Sequence, residues 1–435
     1  MLKFFNKNFS TINYIPFLKN NTNNAKTIEQ NKLTQYLFID YPKQKNNNIS
    51  SVYKKIENNL VSNKNLLDTS FFIFRKDLLD HKIKEWKYHL PFIKTFYAMK
   101  AGSNQLIVNE MYKNGFHFDL CSVIQYEQVK SFILYNKCKI SKELSLIYTH
   151  MHQLAHESTF VSDNKHINLL SVDSSIKNKE DDYFQKDKSY LIKIDVKDYN
   201  NSEENQGKFG CTMEELCDML KNGKDNNINI QGLSFHIGAN TLINSYETSL
   251  KNALTIIEKM IPVFKKYHDL KVVNIGGGFN EYTDLSVVSD ILHNFKSKYS
   301  IQIYAEPGRY FAICYDLCVR ILNKRIRNGV ITYIVNDSIY QSFSGIKYDH
   351  WKLMNGDKQH LVMFNSLGRL VDDYKKLYKS IIVGNTCDWE DCIINDIMLP
   401  EMDVGDCLVF NKKGDYSYVS NSAFNDIITG RNFIS

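Results

Sequence analysis

The sequence predicts an α/β fold: a TIM-like (β/α)8 barrel followed by a C-terminal all-β domain of sandwich- or barrel-like form. Eight short apolar segments each end in a polar, charged or glycine-rich residue, and helix-length stretches separate most of them. These segments are residues 95–100, 116–119, 144–148, 167–173, 190–195, 232–236, 272–278 and 303–309. After them, strand-like segments are separated by turn clusters. Because strand ends meet at one face of a barrel, the residues that end these segments are the first candidates for chemistry.

The 435 residues divide into three predicted parts. Residues 1–50 form a polar extension that we expect to be disordered, although its apolar segment 37–39 has the pattern of a strand that joins the β domain. Residues 68–315 form the barrel, which needs about 250 residues, and a helix over 78–89 precedes its first strand. Residues 316–435 form the β domain. Its strand-like segments are 331–335, 379–383, 407–410 and 416–419.

Composition argues against several classes of protein. The hydrophobic fraction of 43% supports a large core, and a formal charge of +6 is too modest to indicate nucleic-acid binding. No apolar run approaches the roughly 18 residues of a membrane helix. The nine cysteines lack the spacing of a zinc site, which predicts a cytoplasmic protein with reduced thiols and no metal. The first 28 residues contain four lysines and no acid, so a mitochondrial presequence is the alternative.

The last two barrel segments end in loops suited to bind an anion. Gly276-Gly277-Gly278 ends the seventh segment, and Pro307-Gly308-Arg309 ends the eighth. Glycines let backbone N–H groups approach a phosphate, and a guanidinium binds it with two hydrogen bonds. A run of three glycines alone is more often an ordinary turn. On neighbouring strands, the two loops together predict a phosphorylated ligand.

Three further residues near strand ends supply what pyridoxal phosphate requires. This coenzyme needs a lysine for its Schiff base and a partner at its ring nitrogen, where a carboxylate makes the ring a strong electron sink. Lys100 ends the first segment, where a defined, dry position can make an amine nucleophilic. Glu306 lies beside the phosphate loop, and the ring of His236 can stack on the pyridine. Lys100 alone is more often a solvated lysine and His236 a structural histidine, but together these positions predict pyridoxal 5'-phosphate.

Several segments resemble the signatures of one known family, the fold-type-III, pyridoxal-phosphate-dependent decarboxylases of basic amino acids, and above all their eukaryotic ornithine-decarboxylating members. The motifs are Phe96-Tyr97-Ala98-Met99-Lys100, Ser234-Phe235-His236-Ile237-Gly238, Ile275-Gly276-Gly277-Gly278-Phe279, Ala305-Glu306-Pro307-Gly308-Arg309-Tyr310, Tyr348-Asp349 and Thr386-Cys387-Asp388. The similarity runs from about Asp68 to Ile427. It implies decarboxylation of L-ornithine to putrescine and carbon dioxide, the entry step to polyamines.

The resemblance also implies a role for each site residue. Lys100 would form the Schiff base, His236 would stack on the cofactor, and Cys387 would protonate the substrate carbon after carbon dioxide leaves. The residues that would hold the cofactor are Asp119, Ala239, Gly276, Gly277, Gly278, Glu306, Pro307, Gly308, Arg309 and Tyr416. Those that would receive the substrate are Tyr340, Tyr348, Asp349 and Asp388. Cys387 and Asp388 would come from the second subunit of a head-to-tail homodimer, so each active site would be shared.

Four positions depart from the residues usual in this family. Ala239 replaces a serine that donates to the phosphate, Asn274 replaces an acid, Lys193 an arginine and Gln125 a glutamate. The resemblance assigns none of them to bond breaking. We therefore expect an active enzyme that retains its cofactor less firmly.

Alternatives remain open at this level. The same fold serves decarboxylases of lysine, arginine or diaminopimelate, and sequence resolves the one methylene between lysine and ornithine poorly. Some relatives have lost catalysis and regulate polyamine synthesis, and an inhibitory regulator protein is a further partner that the resemblance raises. The retained Lys100, Cys387 and Asp388 favour an active enzyme. Neither nucleic acid nor a membrane is an expected partner.

Overall fold

A computed structural model describes residues 69–135, 144–173, 187–196, 208–238, 245–348, 361–366, 376–427 and 432–434. They form a closed barrel of eight parallel strands and a separate eight-stranded sheet, which confirms the predicted fold class. Within these ranges, no helix combines the length and apolarity needed to cross a membrane.

The first strand of the chain, β1 (Phe71–Phe74), belongs to the separate sheet, and the next eight strands close the barrel. The barrel strands are β2 (Ile93–Ala98), β3 (His117–Leu120), β4 (Leu146–Tyr148), β5 (Ile167–Val172), β6 (Ser189–Lys193), β7 (Asn229–Ser234), β8 (Val272–Asn274) and β9 (Gln302–Ala305). Each predicted barrel segment overlaps one of these strands, with bounds that differ by up to a few residues. Strand β2 pairs with both β3 and β9, which closes the ring. Gly232 in β7 is required by close packing, because a Cβ there would lie 2.0 Å from the carbonyl oxygen of Val272 in β8.

Helices surround the barrel, and several begin at residues suited to cap them. The helices are α1 (Lys76–His89), α2 (Gln105–Lys113), α3 (Val123–Tyr135), α4 (Ala155–Asp163), α5 (Met213–Asp225), α6 (Tyr246–Lys265), α7 (Leu285–Tyr299), α8 (Arg309–Ala312) and α9 (Gly345–Tyr348). Helix α1 confirms the predicted helix before the first barrel strand. Thr212 and Glu215 form a capping box at α5, and Asp284 accepts from two backbone N–H groups at α7.

The second sheet is built mainly after the barrel. Its strands are β10 (Tyr315–Arg327), β11 (Val330–Val335), β12 (Leu361–Phe364), β13 (Tyr378–Val383), β14 (Cys392–Leu399), β15 (Cys407–Phe410) and β16 (Asn432–Ile434), together with β1. The order is β12-β15-β10-β11-β13-β14, and β1 pairs with β10 and β16. The predicted strands at 331–335, 379–383 and 407–410 are therefore confirmed. The predicted strand at 37–39 lies outside the described residues, and the strand that precedes the barrel and joins this sheet is β1.

The strand expected at Tyr416–Val419 is wrong, because these residues form a turn. The alternation of aromatic and small residues suggested a strand, but Tyr416 has φ of +59°, in the left-handed region that no strand uses. Its N–H donates to the carbonyl oxygen of Ala101 at 2.8 Å instead. The turn is held from the other side by the ring of Tyr418, which packs on Phe72 of β1 at 5.6 Å between centroids. The second sheet thereby places Tyr416 beside the end of β2.

Candidate active site

Lys100 follows β2 in a single turn of 3-10 helix, Met99–Ala101. The hydroxyl of the buried Tyr97 donates to the carbonyl oxygen of Gly102 at 2.8 Å and holds this turn in place. The Lys100 side chain faces a cavity of about 350 Å³ at the carboxyl ends of the barrel strands. Residues from six other strand ends share the cavity. They include His150, Ser171, Lys193, Ser234, His236 and Glu306.

Asp119 in β3 is the carboxylate that faces Lys100. Its Oδ2 lies 3.9 Å from Lys100 Nζ, and Thr149 Oγ1 donates to its Oδ1 at 2.6 Å. Burial lowers the pKa of Lys100, but Asp119, Tyr416 and Glu306 outweigh that effect and raise it above its usual value. Oδ2 is buried and accepts no hydrogen bond from the described part of the chain. A buried acceptor left this way beside an amine suits a bound polar group.

The glycine run after β8 lies so close to neighbouring backbone that none of its three positions has room for a side chain. Gly276 and Gly278 have φ of +65° and +96°. A Cβ at Gly276 would lie 2.2 Å from the carbonyl oxygen of Phe235, and one at Gly278 would lie 2.6 Å from that of Gly238. Gly277 donates its N–H to Nδ1 of His236 at 3.0 Å. Nδ1 is therefore an acceptor, so a neutral His236 carries its proton on Nε2 and its ring orientation is set by the loop.

Glu306 directly follows β9 and is hydrogen-bonded to the same loop. Its N–H donates to the carbonyl oxygen of Gly276 at 2.7 Å, and its Oε1 accepts from Nδ2 of Asn274 at 2.6 Å. Burial and the neighbouring Asp119 raise the pKa of Glu306 to about 7, against Lys100, Asn274 and Lys193, which lower it. Lys193 shares the cavity, where burial and the charge of Lys100 lower its pKa.

The loop after β9 supplies Arg309 at the start of α8. Pro307 accepts from the N–H of Ala98 at 3.1 Å, which fastens this loop to the end of β2. Gly308 allows the approach, because a Cβ there would lie 2.7 Å from that of Ala101. Arg309 Nη1 contacts Asp415 Oδ2 at 2.7 Å, and its guanidinium lies 5.2 Å from the ring centroid of Tyr416.

These residues fit pyridoxal phosphate. The cavity holds an amine for the aldehyde and a carboxylate for the ring nitrogen, and the imidazole of His236 is held in a set orientation. The glycine run, which we call the glycine cradle, excludes side chains, and Arg309 with Tyr416 lies at the adjoining loop. The structure therefore brings together Lys100, Asp119, His236, Glu306 and the two loops, while Ala239 lies outside the described residues.

The predicted substrate residues lie in a second group on the sheet domain. The hydroxyl of Tyr340 donates to Asp388 Oδ2, and the N–H of Cys387 donates to Asn425 Oδ1 at 2.8 Å. Cys387 and Tyr348 are exposed. None of these described side chains lines the cavity that contains Lys100. Asp349 lies outside the described residues.

Buried Asp391 holds this second group together. Its Oδ1 accepts from the N–H of Ile339 at 3.1 Å, and its Oδ2 accepts from Thr386 Oγ1 at 2.6 Å. One carboxylate thus links the loop that carries Tyr340 to the loop that carries Cys387 and Asp388.

Sequence reasoning missed four polar residues of these sites. Thr149 and His150 follow β4, so the rule that strand ends converge could have found them. No such rule could have found Asp415 and Asp391. Each contacts a residue that is distant in the sequence and is brought near only by folding. Asp415 lies beside Tyr416, and Asp391 lies four residues after Cys387, in turns with no fixed relation to the barrel.

The comparisons agree with this geometry. A family model described as the pyridoxal binding domain of pyridoxal-dependent decarboxylases matches residues 76–313. The chloroplastic ornithine decarboxylase of Nicotiana glauca is 27% identical over 365 residues, covering 79% of this chain and 78% of that protein. The solved arginine decarboxylase of Paramecium bursaria Chlorella virus has a TM-score of 0.74 at 22% identity, covering 88% of this chain and 99% of that one. A lysine/ornithine decarboxylase of Vibrio vulnificus, complexed with cadaverine, has a TM-score of 0.70 at 21% identity, covering 87% and 96%.

The family match covers more than half of the chain and includes every barrel strand end that lines the cavity. Its cofactor is pyridoxal 5'-phosphate, the group that the cavity fits. The chain therefore belongs to the fold-type-III, pyridoxal-phosphate-dependent decarboxylases of ornithine, arginine and lysine.

Proposed function

We propose that this protein decarboxylates L-ornithine to putrescine and carbon dioxide. The observation that carries the proposal is the single cavity that joins the Lys100 amine, the His236 ring and the Glu306 carboxylate beside a glycine cradle. Ornithine is favoured over other basic amino acids by the name of the Nicotiana glauca relative, which matches most of the chain.

Pyridoxal phosphate, when bound, supplies an aldehyde for the substrate's α-amine and a ring that takes up the electron pair left by the departing carboxyl group. Lys100 is the amine placed to hold it. Because the pKa of Lys100 is raised, its Nζ must first give up a proton, and the Asp119 carboxylate lies 3.9 Å away. Glu306 would hold a proton at the ring nitrogen, which keeps the ring an effective electron sink. His236 would cover one face of the ring and exclude water from it.

The proposed substrate residues imply a second subunit. After carbon dioxide leaves, a proton must be delivered to the α-carbon, and Cys387 Sγ is the proposed donor. Asp388, with Asp349, would bind the distal ammonium of ornithine. Within one chain Cys387 and Asp388 lie outside the cavity of Lys100. We propose that a head-to-tail homodimer brings the Cys387–Asp388 loop of one subunit to the cavity of the other.

A second candidate keeps the reaction and changes the substrate to lysine or arginine. The solved neighbours with TM-scores of 0.74 and 0.70 are an arginine decarboxylase and a lysine/ornithine decarboxylase. One methylene is worth only about 1–3 kcal/mol of discrimination, so a modest change in the pocket can move the preference.

A decarboxylation assay on purified protein across ornithine, lysine and arginine, with added pyridoxal phosphate, tests both candidates. We expect the highest kcat/KM for ornithine. A higher value for lysine or arginine would replace ornithine and keep the reaction. Absence of carbon dioxide release from all three would refute the decarboxylase proposal. Borohydride trapping followed by peptide mapping should place a pyridoxyl group on Lys100.

Mixing two inactive variants tests the shared active site. Lys100→Ala and Cys387→Ala each disable a different half of the proposed site. Random exchange of subunits should restore about a quarter of the wild-type activity, because half of the dimers are mixed and each mixed dimer has one intact site. Recovery of no activity, with mixed dimers present, would contradict the shared site.

A further inference from the structure

Asn274 lies at the end of β8, between the glycine cradle and Glu306, and its side chain is fully buried. Its Oδ1 accepts from the N–H of Gly276 at 3.0 Å, and its Nδ2 donates to Glu306 Oε1 at 2.6 Å. The carbonyl oxygen of Gly276 accepts from the N–H of Glu306 at 2.7 Å. Asn274, Gly276 and Glu306 thus form a closed ring of three hydrogen bonds.

The backbone determines which way this amide points. An N–H group can only donate, so the side of the Asn274 amide that faces Gly276 must be the oxygen. The NH2 group must then face Glu306. Oε1 of Glu306 is therefore an acceptor in either charge state of the carboxyl, and a proton on Glu306 belongs on its other oxygen, Oε2. A carboxylate at position 274 could accept from Gly276 but could not donate to Glu306.

The direction of this hydrogen bond matters because the groups around Glu306 shift its pKa in opposite directions. Burial and Asp119 favour its protonated form, while Lys100, Lys193 and the Asn274 amide favour the carboxylate. The two lysines act on the carboxyl group through their charges. Asn274 instead donates to one oxygen of the carboxyl group, Oε1. It therefore determines which oxygen carries the proton as well as how firmly the proton is bound.

We propose that Asn274 is a positioning residue that confines the exchangeable proton of Glu306 to Oε2 and so prepares the carboxyl for the pyridine nitrogen of the coenzyme. The proposal rests on the role of Glu306 in the proposed function. It predicts that Asn274 strengthens coenzyme binding through Glu306 and not through general packing. This is the opposite of what the sequence led us to expect, namely that the loss of the family's usual acid at this position weakens retention of the cofactor.

Asn274→Asp tests the donor, because it changes one NH2 group to an oxygen with almost no change in volume. The readout is the dissociation constant of pyridoxal phosphate from the apoenzyme, measured by fluorescence between pH 6 and 8.5. We expect it to rise by about 10- to 100-fold at the alkaline end, the range for a lost charged hydrogen bond. The rise should shrink at the acidic end, where the two facing carboxyls can share a proton.

Two further variants keep the test decisive. Asn274→Ala also lacks the donor but adds no charge, so its dissociation constant should rise with little dependence on pH. Asn336→Asp is the matched control, because Asn336 is also buried and accepts from a backbone N–H, that of Arg320 at 2.7 Å, in the second sheet. Its dissociation constant should stay within about twofold of the wild type.

A double-variant cycle with Glu306→Gln separates positioning from packing. In the Glu306→Gln background an aspartate at 274 can accept from the new amide, so Asn274→Asp should change the dissociation constant by less than about threefold. Equal losses in both backgrounds would overturn the proposal. Failure of the wild-type apoenzyme to bind the coenzyme at all would instead refute the proposed function.

Discussion

Arg309 Nη1 lies 2.7 Å from Asp415 Oδ2, so the guanidinium that we expect to bind the coenzyme phosphate already has a carboxylate partner. Both side chains are largely buried, at 17% and 7% exposure, which makes the interaction stronger than that of an exposed pair. A phosphate that approaches Arg309 must share it with Asp415.

We predict that Asp415→Asn strengthens coenzyme binding. Removing the charge frees the guanidinium for the phosphate, and the dissociation constant of pyridoxal phosphate should fall by about 3- to 10-fold. Titration of the apoenzyme measures it. Pyridoxal, which lacks the phosphate, should show no change. Weaker binding of the phosphorylated form would show that Asp415 orients Arg309 instead of competing for it.

The cradle should not tolerate a side chain at Gly278. Alanine there combines a left-handed backbone with a Cβ only 2.6 Å from the carbonyl oxygen of Gly238. We expect Gly278→Ala to raise the dissociation constant of pyridoxal phosphate by at least about tenfold and to cost about 1–3 kcal/mol of unfolding free energy. Gly115→Ala is the control, because Gly115 has φ of +77° but no atom within 4 Å of the added Cβ. It should leave coenzyme affinity unchanged, and similar losses in both variants would assign the effect to backbone strain alone.

Glu306 should make the stability of the apoenzyme depend on pH. Burial and Asp119 raise its pKa from 4.5 to about 7. Between these values the unfolded chain has released the proton that the folded chain still holds, so the free energy of unfolding should fall as pH rises. Urea unfolding should show a fall on the order of 2–3 kcal/mol between pH 4.5 and 7 that Glu306→Gln lacks. If the wild type and the variant show the same pH dependence, the pKa of Glu306 is not raised.

Asp391 should affect catalysis without affecting coenzyme attachment. It accepts from the Tyr340 loop and from Thr386 on the Cys387 loop, and an asparagine can accept through only one oxygen. We expect Asp391→Asn to lower kcat/KM by about 10- to 100-fold, because small shifts of reacting groups are costly. The absorbance band of the bound coenzyme should be unchanged. Loss of that band would mean that Asp391 supports the fold of the barrel and not the loops.

The site residues that lie on the barrel could be predicted from the sequence, because a barrel brings the carboxyl ends of all its strands to one face. Lys100, His236 and Glu306 each end an apolar segment, and parallel strands carry such ends to one face whatever the distance between them in sequence. The same rule would have found His150. This prediction did not require knowing the register in which neighbouring strands pair.

The sheet domain was less predictable because its contacts depend on the other half of the chain. The pattern at Tyr416–Val419 fits a strand, yet the hydrogen bond from Tyr416 to Ala101 and the packing of Tyr418 on Phe72 determine a turn there. Strand β10 was missed because its second half, from Asn323 to Arg327, is polar and mostly exposed and has the composition of a loop. The ion pair between Arg309 and Asp415 joins residues 106 positions apart, and neither neighbourhood in sequence indicates the other.

Strand β1 precedes the barrel but pairs with β10, so that Phe71 lies opposite Cys318. A nascent chain therefore exposes four apolar residues long before their partners exist. At about 5–20 residues per second, the ribosome needs on the order of 10 to 50 s to synthesise the intervening segment. The barrel can close during that delay, whereas the sheet must wait for nearly all of the polypeptide. Chaperone dependence during translation should accordingly be concentrated on this early strand.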